Sequence, residues 1–279
     1  MPGTLFVIAT PLGHLDDLSP RAREVLRSAD CIACEDTRRT AVLLARFEID
    51  TALVSCHKFN ETARLEPLLA HLAEGRTVAL VSDAGTPGIA DPGALLVRAA
   101  IEAGHRVSPL PGPCALTALL SVSGLPADRF VFEGFLPHRA GERRRALREF
   151  AQVTRPVVVY ETPHRIRDAL ADIGSVLGDR QLVLGRELTK IHETLLYGTA
   201  TQLLAALGDN PKGEIVLAIA PGDGPTADLE AEHIRTAWRK ELAASDGDRR
   251  SALKQTCKRT GIKRAELYRR LVEIGEDVE

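Results

Sequence analysis

At 279 residues, 44% hydrophobic and 27% charged, the composition is that of a globular protein with room for more than one core. No apolar run approaches the roughly 20 residues of a membrane span, and the start Met1-Pro2-Gly3-Thr4-Leu5 lacks the basic region of a signal peptide, so a cytoplasmic protein with no membrane partner is expected. The net charge of −2 conceals an asymmetry: residues 249–272 hold nine Lys and Arg against Glu266 alone, a local +8 that leaves the remainder at −10 and suggests a polyanion-binding tail.

Short apolar runs alternate with amphipathic stretches, the pattern of an α/β fold. Leu5–Ala9 reads as a strand and Leu18–Ser28 as a helix, with Ser19 as cap and Pro20 in its first turn. Strand Asp30–Cys34, helix Thr40–Phe47, a short strand at Ala52–Ser55 and helix Thr62–Glu74 follow. Then come strand 78–82, helix Ala94–Ala103, strand Arg106–Ser108 and helix Ala115–Val122. Gly124-Leu125-Pro126 interrupts the pattern and marks a domain boundary. Beyond it the spacing predicts strands at Phe130–Phe135, Val157–Tyr160, Gln181–Gly185 and Glu214–Ala220, with helices at Glu142–Gln152 and Ile166–Leu177. Gly222-Asp223-Gly224-Pro225 reads as a linker, and three helices follow at about 229–244, 248–260 and 263–273. The expected division is therefore 1–120, 121–225 and a basic helical unit at 226–279.

Polar loops leave the buried strands directly. They are Thr10–Asp17, Glu35–Arg38, the Ser82–Gly93 turn with its glycines, prolines and aspartates, Pro109–Pro113, Glu161–Arg165 and Arg186–Lys190. If the strands are parallel, these loops share one edge and converge on a cleft, where open sheets bind ligands. One such loop is no more than a chain reversal, but several in register with strands indicate a site. G-x-G-x-x-G, the P-loop, H-E-x-x-H and G-x-S-x-G are all missing, which argues against a dinucleotide fold, P-loop phosphate chemistry, a zincin and a serine hydrolase. A proline-stiffened cleft with main-chain contacts suits a nucleoside with a zwitterionic tail. The five cysteines have no framework spacing, and Cys31-Ile32-Ala33-Cys34 lies in a strand, so no disulfide or metal site is expected.

The segments Ala9–Asp17, Ala33–Arg38, Ser82–Gly93, Pro109–Cys114, Phe132–Pro137, Tyr160–Arg165 and Arg186–Lys190 together resemble the tetrapyrrole methylase superfamily. Within it the chain is similar to the ribosomal RNA small-subunit methyltransferase I family, over residues 4–220 and more weakly into the tail. His14 stands where that pattern has Asn, and Cys114 where Ser is usual. The resemblance implies two α/β domains with S-adenosylmethionine bound between them, a homodimer, and 2'-O-methylation of a 16S ribosomal RNA cytidine in the small subunit. It places cofactor contacts at Pro11, Asp83, Ala84, Gly85, Ile89, Cys114 and Ala115, with Glu161 and Leu188 from the second domain.

A ribose 2'-hydroxyl is a poor nucleophile while protonated, so a general base is needed. Glu35, Asp36, Glu161, His164 and Glu187 are candidates, with Glu35 and Glu161 ranked first because each sits at a strand exit. Arg38, Arg165, Arg186 and Lys190 could hold RNA phosphates or lower the hydroxyl's pKa; the alternative is that Glu35, Arg38, Glu187 and Lys190 form ion pairs that fix the loops. Arg38 and Lys190 complete the catalytic set. Lys254, Lys258, Arg259, Lys263 and Arg264 in the tail, and a strip of Arg143, Arg144 and Arg145, are the expected RNA contacts. Two other readings stay open: a methyltransferase of a tetrapyrrole intermediate, and a non-catalytic RNA-binding protein.

Overall fold

The computed structural model describes residues 3–208, 210–222 and 227–278. Met1–Phe150 with Arg155–Pro221 forms one compact unit, and Ala151–Thr154 with Gly222–Glu279 a second. Asp223–Thr226, most of the expected linker, lie outside the described residues.

The first unit opens with a five-stranded parallel sheet of β1 (Thr4–Ile8), β2 (Cys31–Cys34), β3 (Leu53–Ser55), β4 (Thr77–Val81) and β5 (Arg106–Leu110), in the order β3-β2-β4-β1-β5. Helices α1 (Pro20–Ser28), α2 (Thr37–Arg46), α3 (Glu61–Ala73) and α4 (Ala94–Glu102) cover it. Strand residues alternate between the two faces. Ile8, Ile32, Ala79 and Val81 pack with Leu18, Leu26, Leu43 and Leu44, whereas Leu5, Val78 and Leu80 pack with Leu68, Leu72 and Leu96. Ser19 Oγ accepts a hydrogen bond from Ala22 N, so α1 starts where its cap predicts. Cys31 and Cys34 are buried in β2, where desolvation raises both thiols above their ordinary value.

The chain crosses to a second layer through Pro111–Pro113. Helix α5 (Ala115–Ser123) already packs on the second sheet: Leu116, Leu119 and Leu120 share a core with Val158, Val183 and Val216. The change of layer thus precedes the expected boundary at 120, because the apolar face of this helix belongs to the second core. The second sheet comprises β6 (Val131–Phe135), β7 (Val157–Glu161), β8 (Leu182–Arg186), β9 (Thr194–Gly198) and β10 (Ile215–Ile219), in the order β6-β7-β10-β8-β9. Helices α6 (Ala140–Phe150), α7 (Ile166–Leu177) and α8 (Ala200–Ala206) complete it.

This sheet is mixed rather than parallel: β10 runs antiparallel to both β7 and β8, and β9 antiparallel to β8. Strands β7 and β8 still exit at one edge, and Glu161 and Arg186 both register with Ile215. Edge strand β9 and helix α8 are additions to the predicted elements. β9 is half-buried and lacks a continuous apolar run, but α8 carries a capping box between Thr199 and Gln202 that is visible in the sequence.

In the second unit, α9 (Ala227–Ala244), α10 (Arg249–Thr260) and α11 (Arg264–Glu273) surround Ile234, Trp238, Leu253, Leu267 and Leu271. Cys257 and Ile262 pack at the border of that core.

Candidate active site

The order β2-β4-β1 brings three strand exits side by side, and backbone geometry stitches them together. Thr10 and Gly85 form an isolated antiparallel bridge: Thr10 N donates to Gly85 O at 2.8 Å, and Gly85 N to Thr10 O at 3.0 Å. Gly85 has φ +82°, a conformation that side chains rarely adopt, which is why this turn needs glycine. The Thr10 hydroxyl donates to Ser82 O at 2.9 Å, and Thr86 Oγ1 donates to Pro113 O at 3.1 Å, tying the Pro111–Pro113 connection to the same turn.

Loops from the second sheet face this edge through Arg186–Lys190. Glu187 and Thr189 hold φ of 52° and 65°, strained values for residues with side chains. Lys190 Nζ lies 2.8 Å from Glu187 Oε1 and 3.2 Å from Glu214 Oε2. Thr189 Oγ1 accepts from His14 N at 3.0 Å, and the Lys190 stem lies so close over Gly13 that a Cβ there would sit 2.1 Å from Lys190 Cγ. Gly213, at φ +89°, has no room for a side chain either, since a Cβ would sit 2.1 Å from Glu187 Oε1.

Between the two sheets lies a cavity of about 340 Å³. Of the residues singled out in the sequence, Glu35, Asp83, Ala84, Gly85, Ile89, Ala115, Glu161 and Leu188 line it. Pro11 is buried beside the lining residue Leu12 and does not itself line the cavity. Cys114 is the residue before α5, half-buried in the Leu116–Leu119 core. Sequence reasoning missed Arg39, Asp91, Phe135, Tyr160, Gly213 and Glu214 as lining residues. Asp91 stands within the glycine-rich turn, and Tyr160 and Phe135 within segments that carry the resemblance, so the signal was there; Glu214, at the start of an antiparallel strand, left none.

Carboxylates dominate the polar lining, and their settings differ. Glu35 Oε atoms have no hydrogen-bond or ion-pair partner among the described residues, while burial and the neighbouring Asp83 raise its carboxyl above the ordinary value. Asp83 accepts from Asp36 N at 3.0 Å and pairs with Arg39 at 3.3 Å. Asp91 is pushed up to about 7, first by burial and then by repulsion from Glu35, Asp83 and Glu214. Glu161 has a fully covered side chain; Thr162 N donates to its Oε2 at 2.8 Å, and Arg165 Nη2 stands 2.9 Å from Oε1 without hydrogen-bond alignment. Burial raises the Glu161 carboxyl above its ordinary value despite that partner. Burial also lifts the Tyr160 hydroxyl well above its usual range, so it stays a neutral donor.

Several expected contacts are placed elsewhere. Lys190 is committed to Glu187 and Glu214; burial opposes its charge, but those carboxylates outweigh it, and it acts as a strut for the loop and does not line the cavity. Arg38 lies outside the cavity and closes on Asp36 at 2.7 Å, with most of its side chain in solvent. Its hydrogen bonds hold the Asp36 carboxyl far below the usual carboxylate range. Arg143 is no surface phosphate contact: it shares the buried stripe of α6 with Leu147 and Phe150, and its Nη2 pairs with Asp172 Oδ2 at 2.6 Å. Arg144 Nε takes the other Asp172 oxygen at 2.6 Å, and Arg145 alone of the three is exposed with no ion pair among the described residues. In the helical unit Lys254, Lys258, Lys263 and Arg264 are exposed without ion pairs among the described residues, whereas Arg259 pairs with Glu241 at 3.3 Å.

No helix is long and apolar enough to cross a membrane among the described residues. The model of the tetrapyrrole (corrin/porphyrin) methylases matches residues 4–204. The ribosomal RNA small subunit methyltransferase I of Xylella fastidiosa (strain Temecula1) is 45% identical over 273 residues, 96% of this chain and 98% of that protein. The protein of that name from Escherichia coli O157:H7 is 44% identical over 275 residues, 97% and 95% of the two chains. Among solved structures, the methyltransferase CobJ superposes with a TM-score of 0.59 at 20% identity, over 78% of this chain and 94% of that one. A uroporphyrin-III C-methyltransferase from Thermus thermophilus, complexed with S-adenyl homocysteine, gives 0.56 at 18% identity, over 79% and 97%. The chain therefore belongs to the tetrapyrrole methylases and, within them, to the ribosomal RNA small subunit methyltransferase I family.

Proposed function

We propose that the protein is an S-adenosylmethionine-dependent methyltransferase that modifies the 2'-hydroxyl of a cytidine ribose in 16S ribosomal RNA of the small subunit. The observation that carries this reading is the carboxylate-lined cavity at the joint exit edge of two sheets, in a chain of this family. A cavity of about 340 Å³ has the size of a cofactor site. Its acidic lining (Glu35, Asp83, Asp91, Glu161 and Glu214) suits a ligand with a sulfonium and an ammonium.

Ala84 and Gly85 would hold the cofactor through main-chain groups, with Ile89, Ala115 and Leu188 against its apolar surface. The bound cofactor supplies a methyl group already activated on sulfur. What remains for the chain is to place the ribose in line and to accept its proton. Glu35 is suited to accept that proton, because it lines the cavity with no partner among the described residues and burial raises its proton affinity above the ordinary carboxylate value. Glu161, locked by Thr162 N and Arg165, is better suited to shape the wall than to take a proton. The Arg186–Lys190 strap, held by Glu187, Lys190 and Glu214, fixes Leu188 in that wall.

The helical unit supplies salt-dependent affinity for phosphates through Lys254, Lys258, Lys263 and Arg264. We also propose that the chain works as a cytoplasmic homodimer, with functional divisions near 120 and 225. Transfer of labelled methyl to small subunits lacking the native modification tests the reading. Label on a cytidine 2'-oxygen supports it, with the Glu35→Gln variant slower by about 10²–10⁴-fold and its cofactor affinity within a few-fold of wild type. Cofactor binding without transfer to RNA would favour a tetrapyrrole acceptor, and no cofactor binding a non-catalytic RNA-binding protein.

A further inference from the structure

Beside the main cavity lies a second, more open hollow of about 460 Å³, and the two share Glu35 and Asp83 as a common wall. Its far rim is the turn His57-Lys58-Phe59 between β3 and α3. Phe59 is 92% exposed, in a turn braced by hydrogen bonds. Asn60 Oδ1 accepts from His57 N at 2.7 Å, and Asn60 Nδ2 donates to Ser55 O at 3.2 Å. Phe59 N donates to His57 Nδ1 at 3.2 Å, and the His57 ring meets the Phe59 ring edge-on, 6.2 Å between centroids. One residue after Asn60, the buried Glu61 carboxylate accepts from Gly93 N at 3.0 Å and Leu95 N at 3.1 Å, anchoring the start of α3 to the start of α4. An aromatic face is thus held open to water by a fixed frame.

Among the described residues, Phe59 is the one apolar side chain lining this hollow; the rest are charged or polar. A protein interface would need a wider apolar patch, whereas a single ring among charges is the composition of a base-stacking site. Lys58 beside it is exposed and has no ion pair among the described residues, which leaves its ammonium available to a phosphate. The acids of the hollow are largely answered within the chain, Asp36 by Arg38 and Asp83 by Arg39.

We propose that Phe59 is a stacking platform for an unpaired RNA base flanking the reacting nucleotide, with Lys58 on an adjoining phosphate. The proposal rests on the RNA methyltransferase reading above and adds to it a contact for the neighbouring nucleotide. Because both hollows meet at Glu35, a strand whose ribose reaches Glu35 has its neighbour beside Phe59.

The test begins with wild type on unmodified small subunits, which checks the functional reading by itself. Phe59→Ala should then raise KM for the subunit about 5- to 150-fold, the range of a lost base–aromatic stack, with the cofactor Kd unchanged. Phe59→Tyr should restore it and Phe59→Leu should not. A normal KM for Phe59→Ala, or full rescue by Phe59→Leu, overturns the proposal. So does a change confined to the oligomeric state, which would make this face a contact between copies. The fluorescence of the F59W variant, relative to wild type with its buried Trp238, should be quenched by a short unstructured oligocytidylate. That readout is independent of turnover, and absence of quenching counts against stacking even if the subunit proves not to be the acceptor.

Discussion

Arg165 Nη2 stands 2.9 Å from Oε1 of Glu161, one helical turn away at the start of α7, and the Glu161 side chain is wholly covered. A carboxylate in this setting, with Thr162 N on its other oxygen, is organised before any ligand arrives. Glu161→Gln leaves Arg165 facing an amide. The expected loss is about 3 kcal/mol of stability, since breaking one side of a buried pair strands the other. Urea unfolding would show a lower midpoint with an unchanged slope, together with weaker cofactor binding. Loss of methyl transfer with stability and cofactor affinity intact would instead mark Glu161 as the proton acceptor in place of Glu35.

On the function proposed above, Asp91 should give cofactor affinity a pH dependence of defined sign. Its carboxyl lies at about 7 in the free protein, raised first by burial and then by Glu35, Asp83 and Glu214. A cationic ligand in this cavity favours the ionised form, so binding expels a proton and affinity rises with pH up to about 7, by at most tenfold per unit, then levels off. Calorimetry in buffers of different ionisation heat would count that proton, and Asp91→Asn should flatten the profile. In the ligand-free protein the linkage runs the other way. The folded value exceeds the unfolded one, so the contribution is fully present below the ordinary Asp value of about 4 and is lost as pH rises through about 7.

The Arg143–Asp172–Arg144 triad ties α6 to α7 inside the second layer. Burial opposes the charge on Asp172, but hydrogen bonds from Arg144 and Arg143 outweigh it and hold the carboxyl below its ordinary value. The stabilisation is therefore present above the unfolded value near 4 and is lost as pH falls through the lower folded value. Asp172→Ala would leave the buried Arg143 uncompensated and cost about 3–5 kcal/mol. Arg145→Ala, on the exposed side of the same helix, should change stability by less than about 0.5 kcal/mol. Comparing their denaturation midpoints separates the structural arginine from the solvent-facing one.

The same helix shows where a sequence reads well and where it does not. Strands β1, β2 and β4 were legible because each is a short apolar run bounded by loop residues, and parallel burial makes such runs continuous, whereas edge strand β5 mixes polar and apolar residues. The exits carrying Glu35 and Asp83 followed directly. Arg143-Arg144-Arg145 misled because charge draws attention to solvent, although the spacing 143, 147, 150 already placed the first arginine on the apolar stripe. Glu214 was invisible for a different reason. It reaches the site at the beginning of an antiparallel strand, and only the pairing of β10 between β7 and β8 brings it there. Lys190 was legible both as a catalytic cation and as a loop-fixing ion pair; its second partner Glu214 comes from a separate segment, so only the fold picks out the strut.

The helical unit yields a prediction in salt. Lys254, Lys258, Lys263 and Arg264 are exposed and free of ion pairs among the described residues, and α10 and α11 hold them around a packed core of Leu253, Leu267 and Leu271. Cations of this kind bind phosphates by releasing counterions, so each phosphate neutralised adds about 0.7–0.9 to the slope of log affinity against log salt. Replacing these four with Gln should flatten that slope by up to four such increments and weaken RNA binding most at low salt. Cofactor affinity should not move, because none of the four lines the cavity. Arg259→Gln supplies the contrast: its guanidinium already answers Glu241, so its removal should act on the melting of the helical unit more than on the salt slope. A slope unchanged in the fourfold variant would move RNA affinity away from these helices.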